Sequence, residues 1–261
     1  MAYLDGSGVH LYYESYGTHG PWVTLVNGHT RTSSDFRLMA KKLIEGGFRV
    51  LTFDNRGAGK TRTDSPFSID DMSCDVLALW DELGIGTSAL LGISMGGLIS
   101  QMTALRRPQR VSSLCLISTF AEEKAARVED VDWGTTIEET TAALKPYFST
   151  SFFRQNQLLV KAMAKQILLQ VNQGGFSVMA GEQKRALRSF SFTSLKLEKI
   201  TCPTLIIHGD EDSIIDFSCA EFLHNSIFNS RLITYKGAGH LLLAERPSQL
   251  YEDVLNYLSL H

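Results

Sequence analysis

Apolar and polar positions along this chain fall into two alternating rhythms, one of period two and one of period near 3.6. Val9 to Tyr16 alternates in the manner of an edge strand, and Gly17 to Pro21 reads as a turn. Trp22 to Val26 is a short apolar run, predicted as a strand that ends at Asn27-Gly28. A helical period follows from Ser34 to Glu45, where Gly46-Gly47 stops it. Arg49 to Phe53 is a second short strand, ending at Asp54-Asn55-Arg56-Gly57. Helix periodicity returns from Ile69 to Leu83 and stops at Gly84. Ser88 to Ile93 is uninterrupted by charge and reads as a buried strand, Leu98 to Arg107 as a helix, and Val111 to Ser118 as the next strand.

There the rhythm breaks. From Ala121 to Leu195 the pattern is helical throughout, and it carries Trp133, Tyr147, Phe148, Phe152, Phe153, Met163, Phe176 and Met179. Alternation resumes with strands at Thr204 to His208 and Arg231 to Tyr235 and a last helix at Pro247 to Leu258. Strands that alternate with helices imply an α/β protein: a mostly parallel, twisted sheet with helices on both faces. In such sheets functional groups collect at the carboxyl ends of the strands. A helical insert between late strands is expected to sit over that edge as a lid. The expected division is a core of residues 1–120 and 199–261 with a cap of residues 121–198.

Length and composition narrow the class. The 261 residues suffice for one large domain or a core with an inserted lobe. A hydrophobic share of 44% with 20% charged residues fits a soluble globular protein. The net charge of −3, with scattered Lys and Arg, offers no nucleic-acid surface. Cys74, Cys115, Cys202 and Cys219 have no paired spacing, so zinc and dithiol chemistry lack a motif and reduced thiols are expected. The first residues lack a basic stretch followed by an apolar core, and no apolar run is long enough to span a bilayer. The expectation is a cytoplasmic monomer or homodimer with no membrane attachment, no nucleic-acid partner and no metal or organic cofactor.

The chemistry lies in the residues that follow the strands. Gly92-Ile93-Ser94-Met95-Gly96 places a serine between a strand and a helix, with glycines two positions to either side. Reversing from strand to helix within one residue forces that residue to positive φ, where side chains at its ±2 neighbours collide. The hydroxyl then stands clear of the sheet edge, beside the next backbone N–H. After the later strands come Gly209-Asp210-Glu211-Asp212 and Gly237-Ala238-Gly239-His240. A serine needs a neutral imidazole to take its proton, and the imidazole needs a carboxylate to fix its tautomer. His240, in a glycine-rich loop after the last strand, is the expected base. Asp210 and Asp212 both follow a strand; the outward travel of the turn favours Asp212, and Asp216 reads as a helix start. His208, at the end of an apolar strand, reads as structural. Gly59-Lys60-Thr61 has the end of a phosphate-binding loop, but the first glycine of that motif falls on Asp54. Arg56 is instead expected to tie this turn down.

Taken together, Asp54-Asn55-Arg56-Gly57-Ala58-Gly59, Gly92 to Gly97, His208 to Asp212 and Gly239-His240 make the chain resemble the α/β-hydrolase superfamily over nearly its whole length. It looks most like the lid-bearing group of enol-lactonases, carboxylesterases, carbon–carbon bond hydrolases and cofactor-free haloperoxidases. The resemblance implies Ser94 as nucleophile, Asp212 as acid, His240 as base, and oxyanion donors at the backbone N–H groups of His29 and Met95. Where that superfamily usually has His-Gly, this chain has Asn27-Gly28. Asn27 is again short and able to bond the backbone; the His29 side chain either faces the substrate or faces solvent.

The function expected from this constellation is hydrolysis of a small, largely apolar carboxylic ester or lactone through an acyl-enzyme on Ser94. Hydrolysis of a carbon–carbon bond in a diketone-like substrate uses the same triad. A non-catalytic small-molecule sensor and a lyase or peroxidase on the same scaffold are the further alternatives.

Overall fold

The computed structural model describes residues 2–6, 8–63, 66–126, 131–172 and 176–261. Its strands are β1 (Ala2–Gly6), β2 (Val9–Tyr16), β3 (Trp22–Val26), β4 (Arg49–Phe53), β5 (Arg62–Thr63), β6 (Ser88–Ile93), β7 (Val111–Ile117), β8 (Thr204–Gly209) and β9 (Ser230–Tyr235). They form one sheet in the order β1-β2-β4-β3-β6-β7-β8-β9, with β5 paired alongside β2. β1, β2 and β5 pair antiparallel; from β4 through β9 every neighbouring pair is parallel.

The helices are α1 (Arg37–Glu45), α2 (Ile69–Glu82), α3 (Met95–Arg106), α4 (Ile137–Ala143), α5 (Thr150–Gln155), α6 (Gln157–Val171), α7 (Phe176–Arg188), α8 (Ser218–Ser226), α9 (Leu242–Glu245) and α10 (Pro247–Leu258). Strand side chains divide by parity, as a period of two requires. On β6, Leu90 joins the core beneath α2, α3 and α8, while Ala89, Leu91 and Ile93 join the core beneath α1 and α10. β7 divides likewise, Leu114 and Leu116 against Cys115 and Ile117. Burial on both faces is why these strands read as continuous apolar runs.

Several boundaries differ from the sequence reading for physical reasons. α3 starts at Met95, three residues before the expected Leu98, because Gly96 and Gly97 conceal a helical turn that close packing stabilises. β1 was not expected, because its residues are half-buried or exposed and its pairing with β2 supplies the ordering. α8 follows Asp216, whose carboxylate accepts from the Ser218 N–H at 2.9 Å. Ser68 closes a capping box with Asp71 at the start of α2, and Pro247 opens α10 at a position that needs no N–H.

Between β7 and β8 the regular elements among the described residues are all helical, α4 to α7 with short 3₁₀ turns, joined by irregular segments. Leu144, Phe148, Val160, Ala164 and Ile167 give α4–α6 a core of their own, while Ala186 and Leu187 of α7 join the core beneath α2 and α3. None of the four cysteines forms a disulfide; Cys115 and Cys219 are buried and Cys74 is exposed. Among the described residues no helix is long and apolar enough to cross a membrane.

Candidate active site

Ser94 lies between β6 and α3 with φ 53° and ψ −123°, a conformation that side-chain-bearing residues rarely hold. A Cβ at Gly92 would collide with the Gly96 carbonyl oxygen and the Ser100 hydroxyl, and one at Gly96 with the Val26 and Asn27 carbonyl oxygens. The turn is held by its neighbours. The Ser94 N–H donates to the Ile117 carbonyl at 3.0 Å, and the Thr119 hydroxyl donates to the Ser94 carbonyl at 2.6 Å. The Ser94 side chain does not cap α3 and is half-buried.

The loop after β3 passes against the serine: a Cβ on Gly28 would stand 3.2 Å from the Ser94 Cβ. Asn27 organises that loop. Its Oδ1 accepts from the Gly28 N–H at 2.8 Å and its Nδ2 donates to the Thr32 carbonyl at 2.7 Å. The backbone N–H groups of His29 and Met95 donate to no acceptor among the described residues. The Met95 N–H is an orphan donor of a helix start.

His240 follows β9 and is buried. Its Nδ1 bonds the Asp212 Oδ2 at 2.8 Å, and Nδ1 alone of the ring is hydrogen-bonded among the described residues. Asp212 is anchored from the other side by the N–H groups of Ile214 and Ile215, both 2.9 Å from Oδ1. Burial opposes its charge, but the His240 charge and hydrogen bonds from His208 and His240 outweigh burial and hold the carboxyl below its ordinary range. Asp210 does not approach His240; it accepts from the Gly237 N–H at 2.7 Å and pairs with Lys236. Asp212 and His240 are thus brought together, and Ser94 and Gly28 are brought together. No hydrogen bond joins the Ser94 Oγ to His240 among the described residues.

The His29 ring is half-buried and turned to α7. Its Nε2 is 3.0 Å from the Ala180 carbonyl of α7, and burial lowers its proton affinity. Arg56 ties its turn as expected, through a buried pair with both Asp75 oxygens at 2.7 and 2.8 Å.

His208, which the sequence reads as structural, joins the site from behind Asp212, and the parts of Tyr147 and Glu245 escape a reading of the sequence. His208 is fully buried and its Nε2 reaches both the Ile215 carbonyl (2.9 Å) and the Asp212 Oδ2 (3.2 Å). Its signal was the i, i+4 spacing to Asp212. Tyr147 accepts the N–H groups of His240 and Leu241 at its carbonyl (3.0 and 3.1 Å) and sets its ring edge-on to the imidazole, 6.1 Å between centroids. Buried Glu245 accepts from the Gly239 N–H at 3.0 Å and from the Ser149 N–H and hydroxyl, each at 2.8 Å. Among the described residues no cluster of three or more His, Cys, Asp or Glu side chains could hold a metal ion.

The profile of the family described as "Serine aminopeptidase, S33" matches residues 18–247. The chain is 30% identical to the 3-oxoadipate enol-lactonase 2 of Acinetobacter baylyi over 205 residues, 76% of this chain and 74% of that one. Among solved structures, a hydrolase from Pseudomonas aeruginosa superposes with a TM-score of 0.81 at 30% identity, over 98% of this chain and 97% of the other. The enol-lactonase of Burkholderia xenovorans shares the fold at TM-score 0.82 and 24% identity, over 98% and 99% of the two chains. With the serine turn, the strand order and these likenesses in agreement, the chain belongs to the α/β-hydrolase superfamily, within the serine aminopeptidase S33 family.

Proposed function

We propose that this protein is a serine hydrolase that cleaves a small, largely apolar carboxylic ester or lactone. The observation that carries the reading is the buried Asp212–His240 hydrogen bond at the sheet edge where Ser94 stands in its strained turn. Asp212 accepts the Nδ1–H of His240, which leaves Nε2 as the acceptor. The Ser94 Oγ attacks the substrate carbonyl carbon as its proton passes to Nε2. The carbonyl oxygen becomes an oxyanion facing the N–H groups of His29 and Met95, each worth roughly 3–4 kcal/mol of barrier. Collapse expels the alcohol, which takes the proton from His240, and leaves the acyl group on Ser94. Water then gives a proton to His240 and attacks the acyl carbon; the acid leaves and the serine regains its proton.

The ester and lactone class is supported by the enol-lactonase relative. Apolarity is supported by Trp133 stacked on Tyr147, which itself sets its ring edge-on to His240; both also pack against the insert's own core, with Phe148 and Phe152. In this reading residues 121–198 are a cap over a core of residues 1–120 and 199–261.

A fluorophosphonate tests the mechanism. The expected adduct maps to Ser94, and Ser94→Ala lowers the turnover of aryl esters or lactones by about 10⁴- to 10⁶-fold. Retention of that turnover by folded Ser94→Ala, with the label elsewhere or absent, rejects the reading. Parallel panels of aryl esters, lactones and vinylogous diketones assign the bond that is broken.

A further inference from the structure

We infer that Gln183, on α7 of the inserted region, is a positioning residue that sets the oxyanion donor of the core. The inference rests on the proposed role of the His29 N–H. Gln183 is wholly shielded from solvent, an unusual place for a side-chain amide unless both of its ends are bonded. Both are. Its Oε1 accepts from the Thr30 N–H at 2.7 Å, and its Nε2 donates to the Arg56 carbonyl at 2.7 Å. Its stem lies on Gly57, where a Cβ would come 3.0 Å from the Gln183 Cγ.

The amide it grips is a strained one. Thr30 has φ 61°, which a β-branched residue adopts only when its surroundings impose it. The Thr30 N–H belongs to the peptide that leaves His29, so the Gln183 bond orients that peptide and, through it, the peptide that presents the His29 N–H. A turn earlier on α7, the Ala180 carbonyl holds the His29 ring. Positions 180 and 183 share one helical face, so α7 grips two consecutive residues of the loop that faces Ser94. Within residues 28–31 the loop also bonds itself, from the Thr30 hydroxyl to the His29 carbonyl and from the Arg31 N–H to the Gly28 carbonyl, while Asn27 holds its start at the Gly28 N–H and Asp35 holds its end through the Arg31 guanidinium. Neither flank reaches His29 or Thr30, so among the described residues the bonds that tie those two residues to a distant element come from α7. The inserted region thereby helps to build the oxyanion site as well as to border it.

The test compares ground-state and transition-state binding. Gln183→Met fills the same volume but makes neither hydrogen bond. Per active site, counted by fluorophosphonate titration, kcat for an aryl ester is expected to fall about 10- to 100-fold with KM within about threefold. Affinity for a trifluoromethyl ketone, which adds Ser94 and places an oxyanion in the site, falls by the same factor. Gln183→Glu, protonated in so buried a place, restores both bonds and most of both losses. If Gln183→Met does not unfold cooperatively, Gln183→Asn, which keeps an amide but cannot span to Thr30, takes its place. A purely structural role would lower Tm and the count of active sites but leave kcat per site and ketone affinity unchanged; that result overturns the inference. Failure of wild-type protein to label at Ser94 would instead bring down the hydrolase reading, and this inference with it.

Discussion

Ser94 holds a backbone conformation that costs about 1–3 kcal/mol, and its bonds to the Ile117 carbonyl and from the Thr119 hydroxyl maintain it. Asp212 is as tightly determined, because each carboxylate oxygen has two partners: the N–H groups of Ile214 and Ile215 on one, His240 and His208 on the other. Asp212→Asn is expected to lower kcat about 10⁴-fold at neutral pH, read by steady-state rates, since an amide no longer selects the Nδ1–H tautomer. The carboxyl is depressed in the folded protein, so its stabilisation is present above the unfolded value of about 4 and is lost as pH falls through the folded value. The Tm difference between wild type and Asp212→Asn therefore shrinks as pH is lowered from about 5 toward 2. Protonation of Asp212 does not account for any loss of activity above pH 4.

At the scale of elements, the loop that carries His240 is bonded both to the insert and to the loop that follows β8. The Tyr147 carbonyl takes the two N–H groups at 240 and 241, and Glu245 joins Gly239 to Ser149 across the same seam. Among the described residues the partners of this buried carboxyl group are three neutral donors, which hold it in place. Glu245→Ala leaves the Gly239 and Ser149 donors unpaired, at about 1–3 kcal/mol each. The expected outcome is a loss of about 2–5 kcal/mol in urea unfolding, with a larger fractional loss of kcat than of substrate affinity. α7 differs from α4–α6 in that its apolar face enters the main core, which gives Gln183 a fixed base from which to reach Thr30.

For the molecule as a whole, two cores on opposite faces of one mostly parallel sheet keep the strand ends in register, so loops far apart in sequence meet at one edge. The turn after β4 is locked to α2 by Arg56 and Asp75, whose side chains are only 4% and 6% exposed. Burial pushes the Asp75 carboxyl upward while the Arg56 guanidinium draws it back. Removing one member of such a pair strands the other: Arg56→Met is expected to cost about 3–5 kcal/mol of stability by chemical denaturation. The same change disturbs the Arg56 carbonyl that anchors Gln183, so activity declines before the protein unfolds.

The sequence alone determined what local patterning can encode. The parallel strands are short apolar runs buried on two faces, and Trp22–Val26, Arg49–Phe53 and Ser88–Ile93 end where their apolar residues end. The serine turn is legible because its sterics demand glycine at fixed offsets, and Asn27 because a short polar side chain can bond the next N–H. β1 was not legible, since its half-exposed residues take their order from β2. The sequence favoured Asp212 over Asp210, and the tertiary structure supplies the partners: the path of the turn sends one carboxylate to His240 and the other to Gly237. Tertiary structure also decided the partner of the His29 ring, a carbonyl 151 residues away, and those of Gln183, Glu245 and His208. Such bonds join groups with no sequence relation. Their energies depend on burial and distance, which exist only once the chain has folded.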